Sequence, residues 1–168
     1  MIELAAAGLY RARWTQKIED EWVTAICQNR RDLDPKRLRH TADLMNSVVP
    51  DCMIKGFEFL SERLTLPDAD DRHVLAAAIR GKADAIVTYN LKDFPAATLD
   101  QYDIEPLHPD DFLIYQFGID VAAVLGGARS CRVRLRRPPL AVREYLDALT
   151  TLRLPQLVME LSRYSALI

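Results

Sequence analysis

The 168-residue sequence lacks the patterns that mark several large classes of protein. Its three cysteines, Cys27, Cys52 and Cys131, form no CxxC pair, so they indicate neither a disulfide framework nor a zinc ribbon and fit a reducing compartment. Its three histidines have no HxxxH-type spacing, so we do not expect them to bind zinc. No apolar run approaches the length of a membrane span, and no basic segment followed by an apolar core opens the chain. We therefore expect neither a membrane partner nor a signal peptide, and we expect a cytoplasmic location.

The chain also lacks a strong excess of either charge. The formal net charge of -2 offers no global attraction to nucleic acid, so any basic surface must be local. With 49% apolar and 27% charged residues, the composition is that of an ordinary globular protein. The length suits one domain with room for a proper core, and neither repeats nor a low-complexity linker interrupt it.

Apolar periodicity predicts alternating strands and helices over the first two thirds of the chain. Strands are predicted at 9–14, 52–54, 85–88 and 104–107, and the longer helices at 15–30, 34–48 and from 68 or 69 to 81. This alternation predicts an α/β fold, a parallel sheet between two helical layers. From residue 110 onward the pattern is helical, with helices at 110–117, 120–134, 140–152 and 155–164 and a break at Pro138–Pro139.

The segment 66–94, LPDADDRHVLAAAIRGKADAIVTYNLKDF, is the most informative part of the chain. Asp71 stands at the start of an Ala-rich helix, and Thr88, Asn90 and Asp93 follow at the end of an apolar strand. In open α/β sheets, ligands bind at the edge where the strands end. Grouped carboxylates at such an edge favour a divalent cation, because the cation offsets their mutual repulsion.

Three motifs, RWTQKIEDEW, PDADDRHVLAAAI and AIVTYNLKDF, occur in an order and at a spacing that resemble the PIN domain family of metal-dependent ribonucleases. The resemblance covers roughly residues 4–113 and is closest to the VapC-like toxins of bacterial toxin–antitoxin pairs. It implies a PIN-like three-layer α/β/α domain at 1–113 with a helical C-terminal extension at 114–168. It further implies RNA as the substrate, Mg²⁺ or Mn²⁺ as the cofactor, a cognate antitoxin as a partner and a homodimer.

The resemblance also assigns roles to individual residues. Glu21, Asp71 and Asp93 match the acidic positions that hold the metal and serve catalysis. Thr88 and Asn90 match the polar positions beside the metal, where they would bind the substrate or a water.

One departure from the family pattern concerns a strand. Family members begin with a strand that ends in an aspartate, and this sequence has a counterpart of neither the strand nor the aspartate. We expect a misassigned start, a truncated gene or a clipped chain, and a site that holds a cation poorly. The alternative to an enzyme is a catalytically impaired PIN remnant that acts as a protein-binding module. We also expect either that the two halves of the sheet close up directly or that a second chain or a bound segment fills the gap between them, because exposed strand edges invite pairing.

Several of these residues have simpler interpretations. The acids that open the Ala-rich helix are typical of helix starts, where Asp68 is the better N-cap candidate and Asp70 is ambiguous. Glu21 could be a solvated acid on an amphipathic helix, and His73 is expected to be structural.

The most basic segment, 128–137, could contact RNA phosphates, although a solvated helix face is the more common role of such a run. Its arginines are Arg129, Arg132, Arg134, Arg136 and Arg137.

Overall fold

The computed structural model describes residues 1–135 and 139–168. Within these residues the helices are α1 (Ile2–Ala6), α2 (Gln16–Asn29), α3 (Pro35–Val48), α4 (Glu58–Ser61), α5 (Arg72–Gly81), α6 (Ala96–Leu99), α7 (Pro109–Ile119), α8 (Val121–Arg134), α9 (Val142–Thr151) and α10 (Pro155–Arg163). The strands are β1 (Ala85–Val87) and β2 (Glu105–Leu107). Two 3₁₀ turns, Leu91–Asp93 and Asp100–Tyr102, lie between the strands.

The two strands form a parallel pair in which Ala85 is opposite Glu105 and Val87 is opposite Leu107. Parallel strands require a crossover connection, and here it contains α6 and the two 3₁₀ turns. Pro106 sits in the middle of β2, where its ring nitrogen cannot donate to a ladder. The parallel pair and the surrounding helices confirm the predicted α/β class.

The two faces of β1 pack against different helical layers. The side chain of Ile86 belongs to a buried cluster with Leu75, Ala76 and Ala78 of α5. The side chains of Ala85 and Val87 pack instead against a second cluster, which α7, α8, α9 and α10 build. Because successive strand residues point to opposite faces, this division places the sheet between two helical layers, as the sequence predicted.

The predicted strands at 9–14 and 52–54 are wrong as strands. This part of the chain forms a single parallel bridge between Trp14 and Met53, in which the Trp14 N–H donates to the Cys52 carbonyl at 2.8 Å and the Ile54 N–H donates to the Trp14 carbonyl at 2.8 Å. The alternation of basic and apolar residues before Trp14 correctly indicated extended backbone, but within this segment only Trp14 forms a bridge to another segment. Thr15 then ends the extended segment at once, since its hydroxyl accepts from the Ile18 N–H at 3.1 Å and caps α2.

Helix α5 lies close to its neighbours because its sequence is rich in small residues. Leu75 and Ala76 are fully buried, and a methyl group on Gly81 would come within 2.6 Å of the Ile54 side chain. Lys82 then ends the helix in the left-handed conformation, with φ of 50°. This close packing fixes where the first residue of α5 lies relative to the end of β1.

The C-terminal helices dock on α7 through a buried carboxylate. Asp110, which is 2% exposed, accepts from the Gln156 N–H at 2.8 Å and from the Leu157 N–H at 2.9 Å. It thereby satisfies two of the donors that begin α10. The predicted division at residue 113 falls inside α7 and stays a prediction. Part of the predicted break at Pro138–Pro139 lies outside the described residues. None of the helices that the structure describes is long and apolar enough to cross a membrane.

Candidate metal centre

Three carboxylates meet at the end of β1. Asp68, Asp71 and Asp93 each offer one oxygen, and these oxygens all lie within 4.8 Å of one another. Asp71 stands at the N-cap position of α5, and Asp93 ends the 3₁₀ turn that follows β1. Asp71 and Asp93 are half-buried and Asp68 is exposed. The structure thus brings together two of the three acids that the sequence assigned to a metal and adds a third that it did not.

The expectation that Asp68 caps α5 is wrong, and the local backbone explains why. The Asp68 carboxylate accepts from the Asp70 N–H at 2.8 Å, which folds the chain into a turn before the helix begins. The N-cap position falls to Asp71, whose side chain makes no capping hydrogen bond. The turn brings the two carboxylates to the same side. The three-residue spacing of Asp68 and Asp71 is the sequence signal that could have identified this pair.

Thr88 and Asn90 hold the loop that carries Asp93. The Asn90 backbone N–H donates to the Thr88 hydroxyl at 3.0 Å, and the Asn90 side-chain amide donates to the Asp93 carboxylate. This second hydrogen bond occupies one oxygen of Asp93 and fixes the orientation of the group. Thr88 and Asn90 also line a cleft that Glu21 and Asp71 border.

The electrostatics of the centre favour a bound cation. Burial raises the pKa of Asp71, and the neighbouring charges of Asp68, Asp93 and Glu21 raise it further, while His73 acts in the opposite direction. Burial and the three acids all oppose the ionised form of Asp71, and a divalent cation would offset the effect of the acids. The donor set consists of carboxylate oxygens with a hydroxyl and an amide nearby, which suits a hard divalent cation.

Glu21 lies beside this centre but outside the group of three. Its Oε1 is 3.0 Å from His73 Nε2 and 3.8 Å from the Lys17 ammonium. Burial is the largest cause that raises the pKa of Glu21; Lys17 lowers it, and Asp70 and Asp20 raise it. The charge of Glu21 also raises the pKa of Asp71, so Glu21 lies near the metal centre. The structure therefore does not bring Glu21 into the same close cluster as Asp71 and Asp93.

His73 orients Glu21. The imidazole is 4% exposed, and burial lowers the pKa of His73, which favours the neutral ring. A neutral ring with its proton on Nε2 donates to Glu21, and this contact agrees with the structural role expected from the sequence. No local pattern in the sequence indicates this contact, because residues 21 and 73 are far apart along the chain and meet only in the folded protein.

The described arginines of the basic segment mostly contact other parts of the chain. Arg134 pairs with Glu3 of α1, and Arg132 donates to the Leu140 carbonyl at 2.9 Å, while Arg129 is exposed. Arg136 and Arg137 lie outside the described residues. Two of the three described arginines are therefore engaged by the protein itself, which favours the structural interpretation of this helix.

Comparison with known proteins identifies the family. Residues 2–92 match the family model described as PIN domain, which is more than half of the chain. The chain belongs to the PIN domain family. Residues 109–163, which contain α7 to α10, match a second model, described as VapC50 C-terminal domain. The family membership confirms the resemblance drawn from the three sequence motifs.

A curated relative is similar to part of the chain. The chain is 46% identical over 82 residues to the protein named "Putative ribonuclease VapC50" of Mycobacterium tuberculosis. The aligned part is 47% of this chain and 47% of that protein, so the chain spans about half the length of the curated relative that it matches. No solved structure gives a significant match.

Proposed function

We propose that this PIN domain protein is a metal-dependent ribonuclease that hydrolyses RNA phosphodiester bonds as the toxin of a toxin–antitoxin pair. The observation that carries the proposal is the convergence of Asp71 and Asp93, from two separate elements, at the end of a parallel strand. Ligands bind at this edge in α/β folds. The name of the mycobacterial relative and the match to the PIN domain support the same activity.

The residues of the centre would have different roles in such a reaction. Asp68, Asp71 and Asp93 would hold the cation. Asn90 keeps the Asp93 carboxylate oriented through its side-chain amide, and Thr88 fixes the loop by accepting from the Asn90 N–H. Orientation of this kind lowers the cost of reaching the reactive geometry.

Mg²⁺ or Mn²⁺, when bound by these carboxylates, would polarise the phosphoryl oxygens of a phosphodiester and lower the pKa of a nucleophilic water. Glu21 would accept a proton or orient a water at the rim of the centre. Its raised pKa keeps it closer to neutrality than an ordinary glutamate, and His73 holds one of its oxygens. Its position outside the group of three suits that role better than direct metal binding.

The partners that we infer are an RNA substrate and a cognate antitoxin protein in the cytoplasm, and the protein would act as a homodimer. These inferences rest on the resemblance to VapC-like toxins and on the match of residues 109–163 to the VapC50 C-terminal domain.

The test is cleavage of an end-labelled, mixed-sequence RNA oligonucleotide by the purified chain. We expect cleavage in millimolar Mg²⁺ or Mn²⁺ and none in EDTA. Asp93→Asn should slow the reaction by about 100-fold or more, because loss of a few kcal/mol of charge stabilisation corresponds to that factor. Asp111→Asn removes a carboxylate outside the centre and serves as the matched control.

Two results would contradict the proposal. Cleavage that persists in EDTA would exclude the metal-dependent mechanism. Cation binding by the wild-type chain without any RNA cleavage would favour the alternative, a PIN module that binds a protein and does not catalyse. The engagement of Glu21 by His73 and Lys17 is the observation that keeps this alternative in view.

A further inference from the structure

The turn between α2 and α3 carries a local positive charge. Residues 30–40 contain five basic and two acidic residues, which give a formal charge of +3 in a chain whose formal net charge is -2. The five basic residues are all exposed, and they are Arg30, Arg31, Lys36, Arg37 and Arg39. The protein as a whole does not attract polyanions, but this end of the α2–α3 pair does so locally.

Two of the five basic side chains are engaged by carboxylates of the protein. Asp32 accepts two hydrogen bonds from Arg30, at 2.8 and 2.7 Å. Arg39 pairs with Asp20 of α2. These two arginines are therefore oriented by the protein itself and have less of their charge to offer to a partner.

The remaining three basic side chains keep their charge for the solvent side. Asp34 lies beside them, but its carboxylate caps α3 by accepting from the Lys36 backbone N–H at 2.9 Å. Among the described residues, no carboxylate forms an ion pair with Arg31, Lys36 or Arg37. We call these three residues the hairpin tip.

Helix α2 connects the metal centre to the hairpin tip. Lys17 and Glu21 pair at 3.8 Å across one turn, which defines the face of the helix beside the centre. Thr24 and Gln28 follow Glu21 by three and seven residues, so they lie on the same face, and both are exposed. The helix rises about 10 Å between Glu21 and Gln28. A polar face thus leads from the metal centre to the hairpin tip.

The chemistry of this surface favours a nucleic acid over a protein as its partner. Between residues 16 and 40, all of them within the described range, no large hydrophobic residue is exposed. A protein interface usually has an apolar or aromatic core, which this surface does not offer. Arginine and lysine neutralise phosphates, and threonine and glutamine side chains hydrogen-bond to phosphate and sugar oxygens.

We propose that the hairpin tip, Arg31, Lys36 and Arg37, binds phosphates of the RNA substrate outside the cleavage site, with the strand lying along the exposed face of α2. This inference rests on the proposed function, because that function makes RNA the substrate. It adds a second contact region, so the preferred substrate extends beyond the nucleotides at the metal centre.

The test is binding of a fluorescein-labelled, mixed-sequence RNA oligonucleotide in EDTA, followed by fluorescence anisotropy over a series of salt concentrations. Lys36→Gln combined with Arg37→Gln should raise the Kd at least about tenfold at low salt. The slope of log affinity against log salt should fall by about 1.4, because each neutralised phosphate of a single strand contributes about 0.7. The variant should keep its melting temperature, since the first turn of a helix does not favour positive charge.

Two matched variants separate a local contact from total charge. Arg129→Gln combined with Arg143→Gln removes the same charge from exposed positions of α8 and α9 and should bind RNA as the wild type does. Lys36→Arg combined with Arg37→Lys keeps the charge of the hairpin tip and should also retain binding. In Mg²⁺, the glutamine variant of the tip should raise KM for cleavage and leave kcat unchanged.

The outcomes distinguish this inference from the proposed function. Equal RNA binding by the two double glutamine variants would overturn the inference and leave the nuclease proposal intact. Competition by polyglutamate as effective as that of unlabelled RNA would also overturn it, in favour of an acidic protein partner. Binding that needs the hairpin tip, without cleavage in Mg²⁺, would support the inference and contradict the nuclease proposal.

Discussion

Replacing Asp71 with asparagine should make the metal-free protein more stable and remove its response to divalent cations. Asp68, Asp71 and Asp93 each have one oxygen within 4.8 Å of the others, and the pKa of Asp71 is raised first by burial and then by both neighbours. Asparagine has nearly the same shape, keeps an N-cap residue at the start of α5 and carries no charge. The substitution therefore separates electrostatic repulsion from packing.

The size of the effect follows from Coulomb's law. Two carboxylate oxygens 4.8 Å apart, the upper limit of the separations in this cluster, repel by roughly 3.5 kcal/mol at an effective dielectric of 20 and by roughly 0.9 kcal/mol in water. Asp71 takes part in two such pairs, and Asp68 is exposed, so screening removes much of the larger value. We expect Asp71→Asn to gain about 1–3 kcal/mol of unfolding free energy in EDTA.

The assay is urea unfolding of both proteins, in EDTA and in a series of Mg²⁺ concentrations. Wild-type protein should gain about 2.7 kcal/mol at a cation concentration 100 times its dissociation constant, and Asp71→Asn should gain much less. Asp70→Asn is the matched control, because it removes the same charge from the same turn but lies outside the cluster. The reasoning is refuted if Asp71→Asn is no more stable than Asp70→Asn in EDTA, or if it keeps the full response to Mg²⁺.

Two further predictions concern the packing of the helices. Asp110→Ala should lower the unfolding free energy by about 2–4 kcal/mol in urea, because two backbone donors of α10 lose a buried charged acceptor. Asp111→Ala, one residue on and half-buried, should cost less than half as much, and equal losses would contradict the role given to Asp110. Gly126→Ala should stabilise α8 by about 0.5–1 kcal/mol in thermal unfolding, since a methyl group there meets nothing within 4 Å. Gly127→Ala should not give this stabilisation, because its methyl group would lie 2.7 Å from the buried Leu4 side chain. An equal stabilisation by both substitutions would show that α1 does not pack against α8 as described.

Local signals in the sequence were enough for most of the helices and for the position of the acids along the chain. Apolar periodicity and capping residues act within a few residues, so Thr15 and Asp34 identified the starts of α2 and α3 from sequence alone. The run of apolar residues before Thr88 likewise gave β1, and the motifs around it gave the family. These features depend on neighbours along the chain, which the sequence displays directly.

Only the tertiary structure decided which groups meet. The sequence assigned Glu21 to the metal and left Asp68 as a cap, whereas the turn at Asp70 and the packing of α5 place Asp68 with Asp71 and leave Glu21 to His73. The segment before Trp14 has the sequence pattern of a strand. A strand forms only where another strand pairs with it, and the sequence of the segment itself does not show whether such a partner is present. Asp71 and Asp93 are 22 residues apart in the chain. Their carboxylates meet because the packing of α5 on β1 brings the start of the helix close to the turn that follows the strand.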